Sequence, residues 1–217
     1  MDQKKLDQQS QHWENNFSSK PEMFGLDSSE AANKSLKIFF EKKVNKILEL
    51  GAGLGRDTIF FAKNSIHVTA LDYASNGIKI INEKKEKCKL SNKIVTKVFD
   101  VRKKLPFEDN SFEACFSHML YCMALTKTEI EILNDEIHRI LKPNGINIYT
   151  VRNTNDGDYK KGIHRGENLY ENDGFIVHFF SKETIKSLSK GFKNKSIENF
   201  EEGDFPRKLY FVYNLKN

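Results

Sequence analysis

The stretch from Asn45 to Lys63 constrains this chain most, because its hydrophobic period changes within a few residues. Asn45 to Leu50 (NKILEL) reads as a short buried strand, Gly51-Ala52-Gly53-Leu54-Gly55 as a tight turn, and Asp57 to Lys63 as a helix. The pattern then recurs. His67 to Leu71 is a strand ending in Asp72, Ser75 to Lys89 a charged amphipathic helix, and Ile94 to Phe99 a strand ending in Asp100. After a proline-containing loop, Phe112 to Ser117 reads as a fourth strand and Lys127 to Leu141 as a helix that Thr126 can cap. Pro143-Asn144-Gly145 is its stop signal, and Ile146 to Val151 is the fifth strand. Strands alternating with helices require right-handed crossovers, so the expected fold class is α/β: a Rossmann-like, doubly wound, mostly parallel sheet.

The flanks are less regular. Ser28 to Lys43 predicts a helix with a serine N-cap and Ala32, Leu36, Phe39 and Phe40 at helical spacing. Residues 1–27 read as a polar arm or lid, and residues 28–217 as a single domain. Arg152 to Phe180 is long and rich in Gly, Asn, Asp, His and Tyr, the composition of a loop or lid. Ser181 to Gly191 reads as a helix. Lys195 to Glu201 and Lys208 to Leu215 read as an antiparallel hairpin joined through Gly203-Asp204-Phe205-Pro206.

Composition narrows the function classes. Only 38% of residues are hydrophobic, but seventeen Phe and seven Tyr supply large buried areas. Apolar runs such as Met119 to Leu125 fall far short of the roughly twenty residues that span a bilayer. The N-terminus lacks the apolar stretch of a secretory signal, so a cytoplasmic location is expected. Cys88, Cys115 and Cys122 form neither a CxxC pair nor an even set, which predicts reduced thiols and no metal site. The net charge of +5 is dispersed, as in Asn82 to Lys89 (NEKKEKCK), which fits a solvated helix face rather than a nucleic-acid surface.

Parallel sheets bind ligands beyond the carboxyl ends of their strands, and three such ends carry suitable chemistry. The glycine turn lets a ligand approach the backbone. Asp72, about twenty residues further on, can accept hydrogen bonds from both hydroxyls of a ribose, and Tyr73 offers a flat contact for adenine. Asp100 and the Val101 amide can read an adenine edge. Together they describe a nucleoside-shaped site. A dinucleotide fingerprint would place a third glycine where Arg56 stands, which argues against NAD.

Glu49-Leu50-Gly51-Ala52-Gly53-Leu54-Gly55 resembles the E-x-G-x-G-x-G strand end of class I S-adenosylmethionine-dependent methyltransferases. Asp72, Asp100-Val101, the run Leu105-Pro106-Phe107 with Asp109-Asn110-Ser111-Phe112, and Leu141-Lys142-Pro143-Asn144-Gly145 match further motifs of that family. Trp13-Glu14 and Met23-Phe24-Gly25 look most like its small-molecule enzymes near the tellurite-resistance and thiopurine methyltransferases. The resemblance covers about residues 28–217 and implies a seventh, antiparallel strand, with S-adenosyl-L-methionine as cofactor and a small-molecule acceptor as partner.

By that resemblance Gly51, Ala52 and Gly53 lie against the methionine portion, Asp72 on the ribose, Tyr73 near adenine, and Asp100 with Val101 on the adenine edge. Arg56 or Asp57 supports the methionine carboxylate or amine. Ser117 and His118 flank the sulfonium, and Tyr121 faces the acceptor. The chain lacks the N/D-P-P-Y/F run of enzymes that methylate exocyclic amines of DNA or protein glutamine, since Ser117-His118-Met119-Leu120 stands there. For an amine or hydroxyl acceptor, His118, Tyr121, His164 or His178 can serve as the base when the substrate places its proton within hydrogen-bond reach, whereas a thiol, selenol or metalloid oxyanion needs no strong base. Trp13, Phe17 and Phe24 are expected to close over the substrate, with Arg152, His178, Tyr159 and Tyr170 as lining. The alternatives are an RNA or protein methyltransferase and a noncatalytic S-adenosylmethionine-binding module.

Overall fold

The computed structural model describes residues 2–203 and 207–217. Along the chain run α1 (Gln3–Asp7), α2 (Gln9–Ser19), α3 (Glu30–Glu41), β1 (Lys46–Leu50), α4 (Arg56–Lys63), β2 (His67–Asp72), α5 (Ser75–Lys87) and β3 (Ile94–Val98). Then follow β4 (Phe112–His118), α6 (Lys127–Ile140), β5 (Leu141–Arg152), β6 (Ile163–Gly166), β7 (Leu169–Asn172), β8 (Phe175–His178), α7 (Lys182–Leu188), β9 (Phe192–Glu202) and β10 (Arg207–Lys216). Seven strands form one sheet in the order β3-β2-β1-β4-β5-β10-β9. The first five pair in parallel, and β10 runs antiparallel to both β5 and β9. The strand order reverses between β1 and β4, so their carboxyl ends open a crevice there.

Period-two burial builds the core. Along β1, Ile47 joins the apolar cluster under α3, α4 and α5, whereas Leu48 and Leu50 join the one under α6 and α7. The same division places Ala114 and Phe116 on one side of β4 and Cys115 on the other. Each wholly buried Leu, Ile or Phe contributes about 1.5–3 kcal/mol, so the sheet is held from both faces.

Local chemistry sets the helix starts. Ser29 caps α3 by accepting the Ala32 N–H at 2.9 Å, and Thr126 with Glu129 forms a reciprocal capping box on α6. α5 has no cap of its own, and Glu14 of α2 supplies one by accepting the Asn76 N–H at 3.1 Å. Gly55 precedes α4 at φ 77°, and a Cβ there would lie 2.5 Å from Ile81 Cγ1.

Several expectations need correction. Phe40 is 54% exposed, because α3 turns the stripe of Ala31, Ala32, Ser35, Leu36 and Phe39 inward. The arm itself is left standing as expected in outline, and within it two helices pack with Leu6 and Phe17 buried. β5 starts directly at Leu141, so Pro143-Asn144-Gly145 lies within an irregularity of that strand. The segment expected as a loop over Arg152 to Phe180 holds the antiparallel sheet β6-β7-β8. Of the expected hairpin connection, Asp204, Phe205 and Pro206 lie outside the described residues.

Replacing Gly55 with alanine combines a left-handed φ with a clash against Ile81. Urea denaturation is expected to show a loss of about 2–4 kcal/mol. An unchanged midpoint would show that the α4–α5 packing yields at no cost.

Candidate active site

Hydrogen bonds among three strand ends shape the site. The N–H groups of Gly51 and Ala52 both donate to Leu71 O, at 2.9 and 3.0 Å, folding the glycine turn back onto β2. The Gly53 N–H donates to Asp72 Oδ2 at 2.8 Å, and the Ala74 N–H donates to Oδ1 at 2.8 Å. Asp72 thus joins the glycine turn to the start of α5 with one bond per oxygen, and each oxygen keeps a lone pair. Burial pushes its carboxyl up to about 6, against the pull of the Ala74 and Gly53 amides.

Glu49 lies under the same turn, buried, and accepts the Thr58 hydroxyl at 2.6 Å. Burial first, and the neighbouring Asp57 next, raise its carboxyl to about 8. Two reluctantly ionised acids beneath a glycine turn suit a ligand that brings hydroxyls and positive charge.

A cleft brings together Gly51, Asp72, Tyr73, Asp100 and Val101. Leu120 and Met123 to Leu125 wall one side, and Leu6, Asp7, Gln9 and Ser10 cover it from above. Both oxygens of Asp100 receive hydrogen bonds from Arg102, whose guanidinium also reaches Asp7 on the cover. Burial alone would raise the Asp100 carboxyl, but Arg102 outweighs it and holds the group below the usual carboxylate range. Gln9 fixes the cover with both ends of its amide: Nε2 donates to Gly174 O at 2.9 Å and Oε1 accepts the Ile176 N–H at 3.1 Å.

A second group of side chains stands beside the cleft. The rings of Phe17 and Phe24 lie over Gly53, each 3.7 Å from where its Cβ would stand. Trp13 packs 5.4 Å from Phe17 and 5.0 Å from Phe175 of β8, so arm and small sheet share one aromatic cluster. Arg56 donates to Phe24 O at 3.1 Å and lies 3.6 Å from Glu202. His118 lies 2.9 Å from Glu202 and 2.9 Å from the Thr150 hydroxyl.

Other expected residues are committed elsewhere. Tyr121 is wholly buried, stacked 4.2 Å from Tyr149, and its hydroxyl donates to Asn134 Oδ1 at 2.7 Å, so it does not face an acceptor. Asp57 accepts the Ser29 N–H and hydroxyl at 2.8 and 2.7 Å, tying α3 to α4. Arg152 is buried and neutralised by Asp156 and Asp158. His178 is buried with Nδ1 2.8 Å from Leu125 O, and burial lowers its basicity. Ser117 is buried, and its hydroxyl has no partner among the described residues. His164 lies 2.9 Å from Glu167 O and packs with Tyr170, while the Tyr159 hydroxyl donates to Asn168, so these three serve the small sheet.

Sequence reasoning missed Gln9, Arg102, Thr150 and Glu202. For the cover a signal existed, because Leu6, Trp13 and Phe17 fall at helical spacing within the polar arm.

Residues 47–145 match the family model described as a methyltransferase domain. Phosphoethanolamine N-methyltransferase 1 of Triticum aestivum is 40% identical over 102 residues, which is 46% of this chain and 20% of that protein. Sterol 4-C-methyltransferase strm-1 of Caenorhabditis elegans is 29% identical over 149 residues, 66% of this chain and 43% of that one. The chain therefore spans less than half the length of either relative.

The fold is shared with a Burkholderia thailandensis 1,6-didemethyltoxoflavin-N1-methyltransferase solved with 1,6-didemethyltoxoflavin and S-adenosylhomocysteine. That likeness has a TM-score of 0.75 at 14% identity, over 96% of this chain and 87% of that one. TehB from Haemophilus influenzae gives a TM-score of 0.67 at 19% identity, over 94% and 67%. Among the described residues no helix is long and apolar enough to cross a membrane.

An acid whose pKa is raised by folding binds its proton more tightly in the folded state, so stability falls as pH rises. For Asp72 and Glu49 the loss runs from about pH 4 to about pH 8. Melting temperatures measured across that range are expected to decline, and Asp72→Asn to flatten the acidic half of the decline. A wild-type curve rising over the whole range would show that these two acids do not dominate.

Proposed function

We propose that this chain, whose residues 47–145 match a methyltransferase domain, is an S-adenosylmethionine-dependent methyltransferase acting on a small-molecule acceptor. The observation that carries this is the convergence of Gly51, Asp72, Tyr73, Asp100 and Val101 on one cleft at the strand ends. The free lone pairs of Asp72 accept the ribose hydroxyls, and Tyr73 with Val101 flanks the adenine. The turn Gly51-Ala52-Gly53 lies against the methionine portion, above Glu49. S-adenosylmethionine, when bound, supplies a methyl group already activated on a sulfonium, so the protein mainly aligns the acceptor and excludes water.

The cover made by α1 and α2 performs that exclusion, and Phe17, Phe24 and Trp13 wall the approach to Gly53. Ser117 and His118 end β4 on the side from which an acceptor arrives, and Arg56 stands beside them. A closed, aromatic-walled approach favours a small acceptor over RNA or protein, as do the activities named for both relatives and for the Burkholderia enzyme. The unpaired cysteines, two of them buried, suit the cytoplasm.

The test is calorimetric titration with S-adenosylmethionine, S-adenosylhomocysteine and NAD. Micromolar binding of the two sulfur nucleosides is expected, weakened about 100-fold in Asp72→Ala. Affinity should tighten as pH rises through about 6, because the ribose hydroxyls donate to the ionised carboxylate. Binding of NAD alone would overturn the reading. Binding without methyl consumption by any acceptor would leave a noncatalytic module.

A further inference from the structure

Asp72 and Tyr73, which line the cleft, stand immediately before Ala74, the N-cap of α5. An alanine cannot cap: the first N–H groups of a helix have no partner within it, and Ala74 offers no side-chain acceptor. The partner comes from 62 positions earlier in the chain. Glu14 of α2 accepts the Asn76 N–H, with its two oxygens at 3.1 and 3.2 Å, and accepts the Ser75 hydroxyl as well. Asn76 is the second residue of α5, the position that an N-cap side chain ordinarily reaches. Just before it, Asp72 Oδ1 takes the Ala74 N–H. Two carboxylates, one from β2 and one from the cover, thus share the start of α5, where the helix dipole favours negative charge.

The same face of α2 grips this turn by packing. Phe17, three residues on from Glu14, lies in one apolar cluster with Ala74 and Leu54. Gly77 fits between α2 and the glycine turn: a Cβ there would stand 2.5 Å from Gly53 O and 3.3 Å from Phe17 Cδ2. The first turn of α5 is therefore wedged and cannot shift without moving one or the other. The two acids also feel each other. Burial raises the Asp72 carboxyl most, the Ala74 and Gly53 amides pull it down, and the charge of Glu14 adds to the rise.

We propose that Glu14 is a positioning residue of the cofactor site: it holds the first turn of α5 from the cover, so that Asp72 and Tyr73 reach their binding positions only while α2 is seated. This rests on the S-adenosylmethionine reading above. Glu14 does so without lining the cleft itself. Seating of the cover and binding of the sulfur nucleoside are then linked, and linkage is reciprocal. Whatever loosens α2 weakens the nucleoside by the same factor by which the nucleoside secures α2.

Two variants of nearly unchanged side-chain length test the proposal. Glu14→Met removes the acceptor oxygens, whereas Glu14→Gln keeps one that can take the Asn76 N–H. Amide hydrogen exchange at Asn76, read by NMR in protein without ligand, reports the cap itself. It is expected to be about tenfold faster in Glu14→Met and within about threefold of wild type in Glu14→Gln. Calorimetric titration with S-adenosylhomocysteine is expected to follow the same order, about tenfold weaker in Glu14→Met and within about threefold of wild type in Glu14→Gln. In the wild type the same ligand is expected to slow exchange along Gln9 to Ser19, and to slow it less in Glu14→Met.

Exchange at Asn76 that is alike in Glu14→Met and wild type overturns the proposal. So does S-adenosylhomocysteine affinity that stays within about twofold of wild type once that amide is freed. Equal weakening by Glu14→Gln and Glu14→Met overturns it too, because a retained acceptor would then have no effect. Unaltered exchange along α2 when the wild type binds the ligand does the same without recourse to any variant. Wild-type protein that binds neither S-adenosylmethionine nor S-adenosylhomocysteine would instead overturn the broader reading, while exchange at Asn76 without ligand still decides whether Glu14 caps α5.

Discussion

The carboxylate of Asp72 is the junction on which the site depends. Its two oxygens hold the Gly53 and Ala74 amides, so a single side chain sets the distance between the glycine turn and the start of α5. Satisfying backbone donors normally stabilises an ionised carboxylate, yet burial more than cancels that here. The junction is left with unspent hydrogen-bonding capacity facing the cleft. A ligand with paired hydroxyls completes a network that the free protein leaves incomplete.

Asp100 works in a different way. Arg102 already engages both of its oxygens and links them to Asp7 on the cover. Surface ion pairs of this kind add little net stability, so the link orients the cover more than it secures it. The firmer attachment is Gln9, buried and bonded to two backbone groups near β8. This end of the cleft is thus closed by weak electrostatics outside and by a satisfied amide within.

What could be read from the chain alone follows from distance along it. The glycine turn, Asp72 and Asp100 sit where hydrophobic period changes over a few residues, and local pattern locates such strand ends. The element order and the antiparallel last strand were legible for the same reason. Tyr121 and Arg152 misled because residue type does not reveal a partner: Asn134 lies a helix away from the first, and Asp156 takes the charge of the second in a segment of no regular period. The β6-β7-β8 sheet was hidden because its strands are only four residues each and are set among turn formers such as Asn168, Asp173 and Gly174. Glu202 and Thr150 carry no local signal at all: the pairing of β4 with β5 sets Thr150 opposite His118, and Glu202, on a strand that does not pair with β4, meets His118 only in the folded chain.

The union of α2 with β8 also bears on how the molecule is made. Gln9 and its partners are separated by 165 and 167 positions, so the cover cannot close until the chain through Ile176 has been synthesised. The helices α1 and α2 leave the ribosome before the elements they pack on, and Trp13 and Phe17 wait exposed while α5 and then Phe175 emerge. Until then the growing chain carries an open cleft with an unsheltered aromatic face. Closure of the cleft therefore trails, by more than 150 residues of synthesis, the making of the helices that perform it.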